Sequence, residues 1–325
     1  MILHRRFSII VEPAEGYDFH LTARAYALPG EYDGVKARIP IFEKNSLAIA
    51  EVTCLSDGKL SVTCYSNTNI EKSFVEEKVR HVLAFDEDLS EYHAIIRGDP
   101  VLNAISSKFK GLRMKGVSNL WNAMLIAFCQ QNASFKQGWR MYRNIVYNMG
   151  LKVGLEGGIS VFVTPSPAMV VEQGLAKLRE QGLGYRANYV LEAAKVFVEE
   201  ESFEEKLSEV DVEAYAAIKK IRGLGVYSGR LALLLAQRRY SLTPLDRWTI
   251  RILSEIYAKK RLSLTEAEEE AKRLWGKWSG LSVYFMTIVL DAEVISKALQ
   301  RIAEGRVEPS LCGVLTPMTL WQYSW

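Results

Sequence analysis

Cysteine is scarce in this chain and follows no pattern. The 325 residues hold four, Cys54, Cys64, Cys129 and Cys312, scattered along the sequence. That spacing gives neither a disulfide framework nor a metal-ligand signature. Cys54 and Cys64 could face each other across a hairpin, but reduced structural thiols are the expectation. No apolar run reaches the roughly 18 residues that a membrane-spanning helix needs, so no membrane partner is expected. The opening MILHRRFSIIVEP has too short an apolar stretch for a signal peptide and no cleavage site, which leaves a cytoplasmic chain as the expectation. Internal repeats and low-complexity linkers are also missing. Net charge is only +3, so any strongly basic region must be local.

What is present is ordinary soluble composition, 49% hydrophobic and 24% charged, in a chain long enough for two or three cored units. Residues 1–70 read as strands. Phe7–Val11 is short and β-branched, and Leu47–Cys54 is a second candidate. Ser56-Asp57-Gly58 then leads to Leu60–Tyr65, a strand, turn, strand hairpin. Val75, Val79, Val82 and Leu83 are spaced for one helix face. From about residue 88 the pattern is helix after helix, including Trp121–Ser134, Trp139–Met149, Val171–Glu180, Ala187–Glu199, 262–274 and 281–303. The expected fold class is α+β. An antiparallel sheet domain with a helix occupies 1–95, and an all-α body, which may divide into two subdomains, occupies 96–308. A tail at 309–325 carries Trp321, Tyr323 and Trp325 and is expected to pack on the body.

The stretch Ile218–Ile252 organises the chain. Ala214, Ala217, Ile218 and Ile221 form a helical stripe, Gly223-Leu224-Gly225 interrupts it, and Leu231, Leu234 and Leu235 resume it. A helix–hairpin–helix over 212–237 follows. Its glycines let an anion approach bare backbone, and the second helix points free N–H groups at the same place. Residues 215–261 hold 11 Lys/Arg against two acids, Asp246 and Glu255. That is the footprint of a polyphosphate partner. Asp246, after Pro244 and Leu245, caps the next helix, and nearby cations are expected to keep it ionised.

On these residues the sequence resembles the helix-hairpin-helix-GPD superfamily of DNA base-excision glycosylases. Gly223-Leu224-Gly225 matches the hairpin, and Thr243-Pro244-Leu245-Asp246 matches the segment ending in the family's catalytic aspartate. Leu183–Val190 (LGYRANYV) looks like a segment of the 8-oxoguanine branch. Phe109-Lys110-Gly111-Leu112-Arg113, Ile126–Asn132 and Trp275–Gly280 add further matches, and the likeness covers roughly 95–300. The resemblance places this chain between the 3-methyladenine and 8-oxoguanine branches. It implies double-stranded DNA with a damaged base as partner, a monomer, and a prokaryotic setting at the nucleoid. Asp246 becomes the catalytic carboxylate. Gly223, Gly225, Val226, Ser228, Arg230 and Arg247 become DNA contacts, and Asn132, beside Gln131, aligns with the wedge that fills the hole left by an extruded base. Tyr227, Trp248, Tyr284 and Phe285 are expected to form the base pocket. A monovalent cation shared between hairpin carbonyls and a phosphate is implied. The four-cysteine loop that holds an iron–sulfur cluster in some members is missing, so no other cofactor is expected.

Two departures shape the expected chemistry. Members that also cut the strand carry a lysine two residues after the second glycine, where this chain has Tyr227. Tyrosine cannot form the sugar imine, so a monofunctional enzyme using water is expected. An aromatic at this position stacks on the extruded base in the alkylation branch, and a cationic alkylated purine suits an electron-rich ring. Where the 8-oxoguanine branch reads the base edge with glutamine, this chain has Val283. An alkylated purine is therefore the expected lesion. The alternatives are 8-oxoguanine, a deaminated purine, or a binding module without catalysis.

Overall fold

The computed structural model describes residues 1–43, 46–200 and 202–323. The expected tail residue Trp325 lies outside them. In chain order the N-terminal elements are β1 (Ile2–Val11), α1 (Phe19–Arg24), β2 (Lys36–Glu43), β3 (Ser46–Cys54), β4 (Leu60–Ser66) and α2 (Lys72–Leu83). Then come α3 (Ser90–Ile95), α4 (Asn103–Ser107), α5 (Leu120–Gln130), α6 (Phe135–Met149), β5 (Leu151–Leu155) and β6 (Ser160–Val163). The rest is helical: α7 (Pro167–Glu180), α8 (Arg186–Glu199), α9 (Asp211–Ile218), α10 (Val226–Gln237), α11 (Arg247–Ile252), α12 (Leu264–Trp275), α13 (Ser279–Val289) and α14 (Ile295–Ala303). The α+β class holds.

The sheet runs β2-β3-β4-β1-β5-β6. Its hairpin β3–β4 forms around Ser56-Asp57-Gly58 as the sequence predicts, with Cys54 opposite Leu60. That register sets Cys64 opposite Ala50, so the two thiols do not face each other, and both are free. Alternate residues of β4 (Leu60, Val62, Cys64) are buried against Val75, Val79, Val82 and Leu83 of α2. Three elements escape the sequence reading. β2 contains Pro40 and sits at the sheet edge, where a missing N–H costs no ladder bond. β5 and β6 come from within the helical part and complete the sheet, β5 pairing in parallel with Ile2 and Leu3. The sheet is therefore mixed rather than wholly antiparallel. It draws residues from beyond position 95, because the outer edge of β1 needs a partner and the short strands after α6 supply it.

A second, larger core joins α5, α6, α8, α10 and α13. α5 is buried nearly all round and packs on α10. The stretch expected as one helix over 281–303 breaks into α13 and α14, with Asp291 (φ 55°) and Ala292 (φ 48°) in the left-handed region between them. Arg301 grips Asp291 at 2.6 Å and the Ser310 amide adds 2.8 Å, which fixes that turn. Trp321 in the tail lies edge-on to Tyr32 with ring centres 4.9 Å apart. Among the described residues no helix is long and apolar enough to cross a membrane.

Candidate active site

The hairpin between α9 and α10 is built around Gly223, whose φ of +91° needs glycine. A Cβ there would also meet the Tyr189 ring at 2.6 Å. Gly225 caps α10 and is exposed, so the first amides of that helix face outward. Behind the hairpin, Gln131 donates from Nε2 to the Gly223 carbonyl (2.5 Å) and to Ser228 Oγ (2.7 Å). Both side chains are thus committed to holding the loop. Gln131 and the buried Ser228 act as struts inside the protein, contrary to the expectation that they touch DNA.

The Leu183–Val190 segment supports the same edge. Arg186 Nε donates to the Gln131 carbonyl at 3.1 Å, and Tyr189 closes over Gly223. Asn132 is exposed with φ 43°, and its amide donates to the Tyr185 hydroxyl at 3.2 Å. Asn132, Tyr185, Gly223 and Gly225 thus share one exposed edge.

Much of the expected basic footprint is spent internally. Arg230 pairs with Glu268 (3.0 Å) and donates to the Thr243 carbonyl (3.2 Å), so it braces the Thr243–Asp246 loop rather than reaching outward. Its position one turn inside α10 turns it toward α12. Arg238 donates to the His81 and Met114 carbonyls, and Arg239 pairs with Asp211 at 3.0 Å. Arg251 and Lys260 pair with Glu255 and Glu266. Lys219, Lys220 and Arg247 are exposed with no acidic partner among the described residues, and Arg222 is exposed beside Glu192.

Asp246 is the N-cap of α11, its Oδ1 accepting the Thr249 amide at 2.8 Å. The loop before it is pinned by Thr243 Oγ1 donating to Ser279 Oγ at 2.7 Å. Asp246 opens on a cavity of about 860 Å³. Tyr227, Trp248, Tyr284, Val283, Tyr26, Phe135 and Trp139 line it with Asp246. Trp248 is oriented by its indole N–H donating to the Glu293 carbonyl at 2.8 Å. Burial raises the Asp246 carboxyl above its ordinary pKa, opposed by hydrogen bonds from Thr249 and Trp248. Burial and hydrogen bonds, rather than the cations expected around it, set its direction. Burial, with the Asp246 charge, also pushes the Tyr227 phenol up, so Tyr227 is a neutral ring.

One expected pocket residue is elsewhere. Phe285 is fully buried against Tyr92 (5.8 Å between ring centres), on the face of α13 turned from the cavity. Three walls escape the sequence reading: Phe135 and Trp139, at i and i+4 on α6, and Tyr26 from the N-terminal part. Tyr26 stacks on Trp139 at 5.6 Å, lies 5.1 Å from Tyr284, and bonds Thr287. The i, i+4 aromatic spacing on α6 was the available signal; nothing local marked Tyr26. The pocket also holds polar groups. Gln130 Nε2 is buried there without a partner among the described residues, and Asn122, Lys115 and Glu31 line it.

Residues 125–277 match the profile described as HhH-GPD superfamily base excision DNA repair protein. This stretch of the chain belongs to that superfamily. The match runs from α5 to the turn after α12, so it holds the hairpin, Asn132 and Asp246. The HhH-GPD stretch excludes Tyr26, Tyr284 and Glu31, so part of the cavity wall comes from outside it. A DNA-3-methyladenine glycosylase of Bacillus subtilis is 19% identical over 75% of this chain and 82% of its own length. The fold is shared with the 3-methyladenine DNA-glycosylase from Archaeoglobus fulgidus, with TM-score 0.72 and 21% identity over 86% of this chain and 97% of that one. It is also shared with the 8-oxoguanine glycosylase/lyase of Clostridium acetobutylicum, with TM-score 0.65 and 18% identity over 88% and 98% of the two chains.

Proposed function

We propose that this HhH-GPD protein is a monofunctional DNA glycosylase that hydrolyses the N-glycosidic bond of an alkylated purine in double-stranded DNA. The observation that carries the reading is the pairing of Asp246 with an aromatic cavity in which Tyr227 stands two residues after the hairpin glycines. The hairpin amides and exposed Lys219 and Lys220 suit a DNA backbone, and Asn132 suits the gap left by the extruded nucleotide. In the cavity a cationic purine meets the Tyr227, Trp248 and Tyr284 rings. As the C1′–N bond breaks, positive charge grows on the sugar, and the Asp246 carboxylate stabilises it. Water adds its oxygen to C1′ and gives up a proton to the Asp246 carboxylate.

The resemblance also implies a monovalent cation at the hairpin. The Ile221, Gly223 and Gly225 carbonyls each accept one internal hydrogen bond. Each keeps a second lone pair, the oxygen donor type that such ions take.

Among the described residues Lys115 is the one lysine on the cavity lining, and it is ion-paired to Glu31 at 3.1 Å, which argues against a free amine nucleophile. The unpartnered Gln130 amide favours a second reading, a lesion read by its base edge, such as 8-oxoguanine or hypoxanthine. The test is base release from duplexes carrying 3-methyladenine, hypoxanthine or 8-oxoguanine, with and without alkali, and with borohydride present. Release of alkylated base, strand cuts only after alkali, and no trapped covalent complex are expected. Cuts without alkali, or a trapped complex, would overturn the monofunctional part. Binding without release from any duplex would reduce the chain to a DNA-binding module.

A further inference from the structure

Two aromatic walls of the cavity, Trp248 and Tyr26, trace back by hydrogen bonds to the chain after α14. The Trp248 indole donates to the Glu293 carbonyl at 2.8 Å, in the turn between α13 and α14. Asp291 and Ala292 are both left-handed in that turn, a backbone that persists only where its surroundings impose it. The C-terminal chain imposes it. Asp291 accepts the Ser310 amide at Oδ1 (2.8 Å) and the Ser310 hydroxyl at Oδ2 (2.5 Å). Arg301 donates to the same Oδ2 at 2.6 Å, and to the Arg306 (3.0 Å) and Glu308 (2.6 Å) carbonyls. Both charged groups are buried.

Tyr26 is left-handed too, with φ 52°. Its amide donates to the Pro317 carbonyl at 2.7 Å. The Thr287 hydroxyl donates to the Tyr284 carbonyl (2.7 Å), so the Tyr26 hydroxyl is the donor in its bond to Thr287. With both ends of the residue fixed, the ring stacks on Trp139. The two lines of contact meet in one segment. Thr316 Oγ1 donates to the Ser310 carbonyl at 3.1 Å and accepts the Met318 amide at 3.2 Å. Thr316, Pro317 and Met318 are buried.

We propose that the segment 310–318 is a positioning element of the base site. Ser310 sets Trp248 through the Asp291 turn, and the Pro317 carbonyl sets Tyr26. Neither touches the base; each fixes a ring that does. The glycosylase reading supplies the ligand, and the proposal gives the tail a part in recognising it. The fit of the lesion then depends on chain outside residues 125–277.

The test puts fluorotryptophan into the full chain and follows the fluorine NMR lines of Trp248, Trp139 and Trp121, each assigned by its Phe variant. Asp291→Ala removes the carboxylate at a left-handed position. Ser310→Ala removes only the hydroxyl, and carries the test if Asp291→Ala does not fold. Both should shift or broaden the Trp248 line. Asp291→Asn suits a left-handed backbone and keeps an acceptor for the Ser310 amide, so it should restore much of the original line. Thr316→Val cuts the tie inside the segment and should move the Trp139 line through Tyr26. Trp121, whose indole is bonded to the Pro165 carbonyl away from the cavity, should not respond.

Single-turnover release from a 3-methyladenine duplex should fall about three- to tenfold in the Ala and Val variants, the effect of losing one or two hydrogen bonds. Affinity for a duplex with an uncleavable abasic analogue, which reads the hairpin, should be unchanged. Trp248 and Trp139 lines that stay in place in every variant overturn the proposal. So does release that is unchanged, or that falls only in step with abasic-duplex affinity. If the unaltered protein releases no base from any duplex, the glycosylase reading fails and the fluorine lines alone decide. Movement then upholds the positioning role, and no movement overturns it.

Discussion

Gln131 and Ser228 are 97 residues apart in sequence and 2.7 Å apart in space, joined by an amide donating to a buried hydroxyl. The same amide holds the Gly223 carbonyl, so one side chain at the end of α5 fixes the turn that presents the α10 amides. Gln131→Ala leaves a buried hydroxyl and a carbonyl without their donor, a cost of about 1–3 kcal/mol. Thermal denaturation should show a fall of a few degrees. DNA affinity should fall too, because the anion-facing loop loses its brace, and a variant with unchanged melting and unchanged affinity would contradict this.

Gly223→Ala attacks the same turn from the backbone. The φ of +91° costs an alanine about 1–3 kcal/mol, and its Cβ would also press on the Tyr189 ring. DNA binding measured by fluorescence anisotropy is expected to weaken more than the overall fold does. Gly225→Ala, where the backbone is extended and a Cβ meets nothing, should be mild in stability.

Asp246→Asn separates the two duties of that side chain. Asparagine caps helices about as well as aspartate, so melting should barely change. Base release should drop about a hundredfold or more once the charge is gone. In the unaltered protein the acidic limb of the rate profile should lie above the pH of an ordinary aspartate, because burial raises this carboxyl. The folded state therefore binds a proton more readily than the unfolded one. This group's contribution to stability grows as pH falls through the folded pKa, and is least favourable above it.

His81 and His93 should dominate acid sensitivity instead. Burial and the neighbouring Arg238 and Arg113 lower both to about 4. A depressed pKa means stability that is full above the unfolded value of about 6.5 and is lost as pH falls toward 4. Melting temperatures followed over that window should fall, and His93→Gln, if it folds, should flatten the fall.

Tyr227→Ala removes one face of the aromatic cavity. Stacking of a base on an aromatic side chain is worth about 1–3 kcal/mol. Binding of a free alkylated purine should weaken by roughly ten- to a hundredfold while Asp246 and the hairpin keep their places. Tyr227→Phe should keep nearly all of that affinity.

The sequence was most legible where one local pattern fixes one local structure. The Asp57-Gly58 hairpin, the valine face of α2, the Gly223–Gly225 turn and the Asp246 cap all follow from nearest neighbours. What it hid depends on chain segments far apart. Tyr26 becomes a pocket wall only because α13 and α6 meet it. Arg230 reads as a phosphate contact until α12 supplies Glu268. Phe285 and Tyr284 are neighbours in sequence, yet helical geometry sends one to the cavity and the other to the core. β2 and β5–β6 were missed because Pro40 and the short, glycine-bordered strands carry weak local signals, and pairing with distant strands decides them.

The parallel pairing of β1 with β5 ties the start of the chain to residues made much later. During synthesis Ile2 and Leu3 emerge long before Gly154 and Leu155, so the outer corner of β1 waits uncovered while α1 to α6 form. For that interval it offers unpaired backbone groups beside exposed Ile2 to any neighbouring nascent chain. The flanking His4, Arg5 and Arg6 put basic side chains beside that corner, where like charge would keep two such young chains apart.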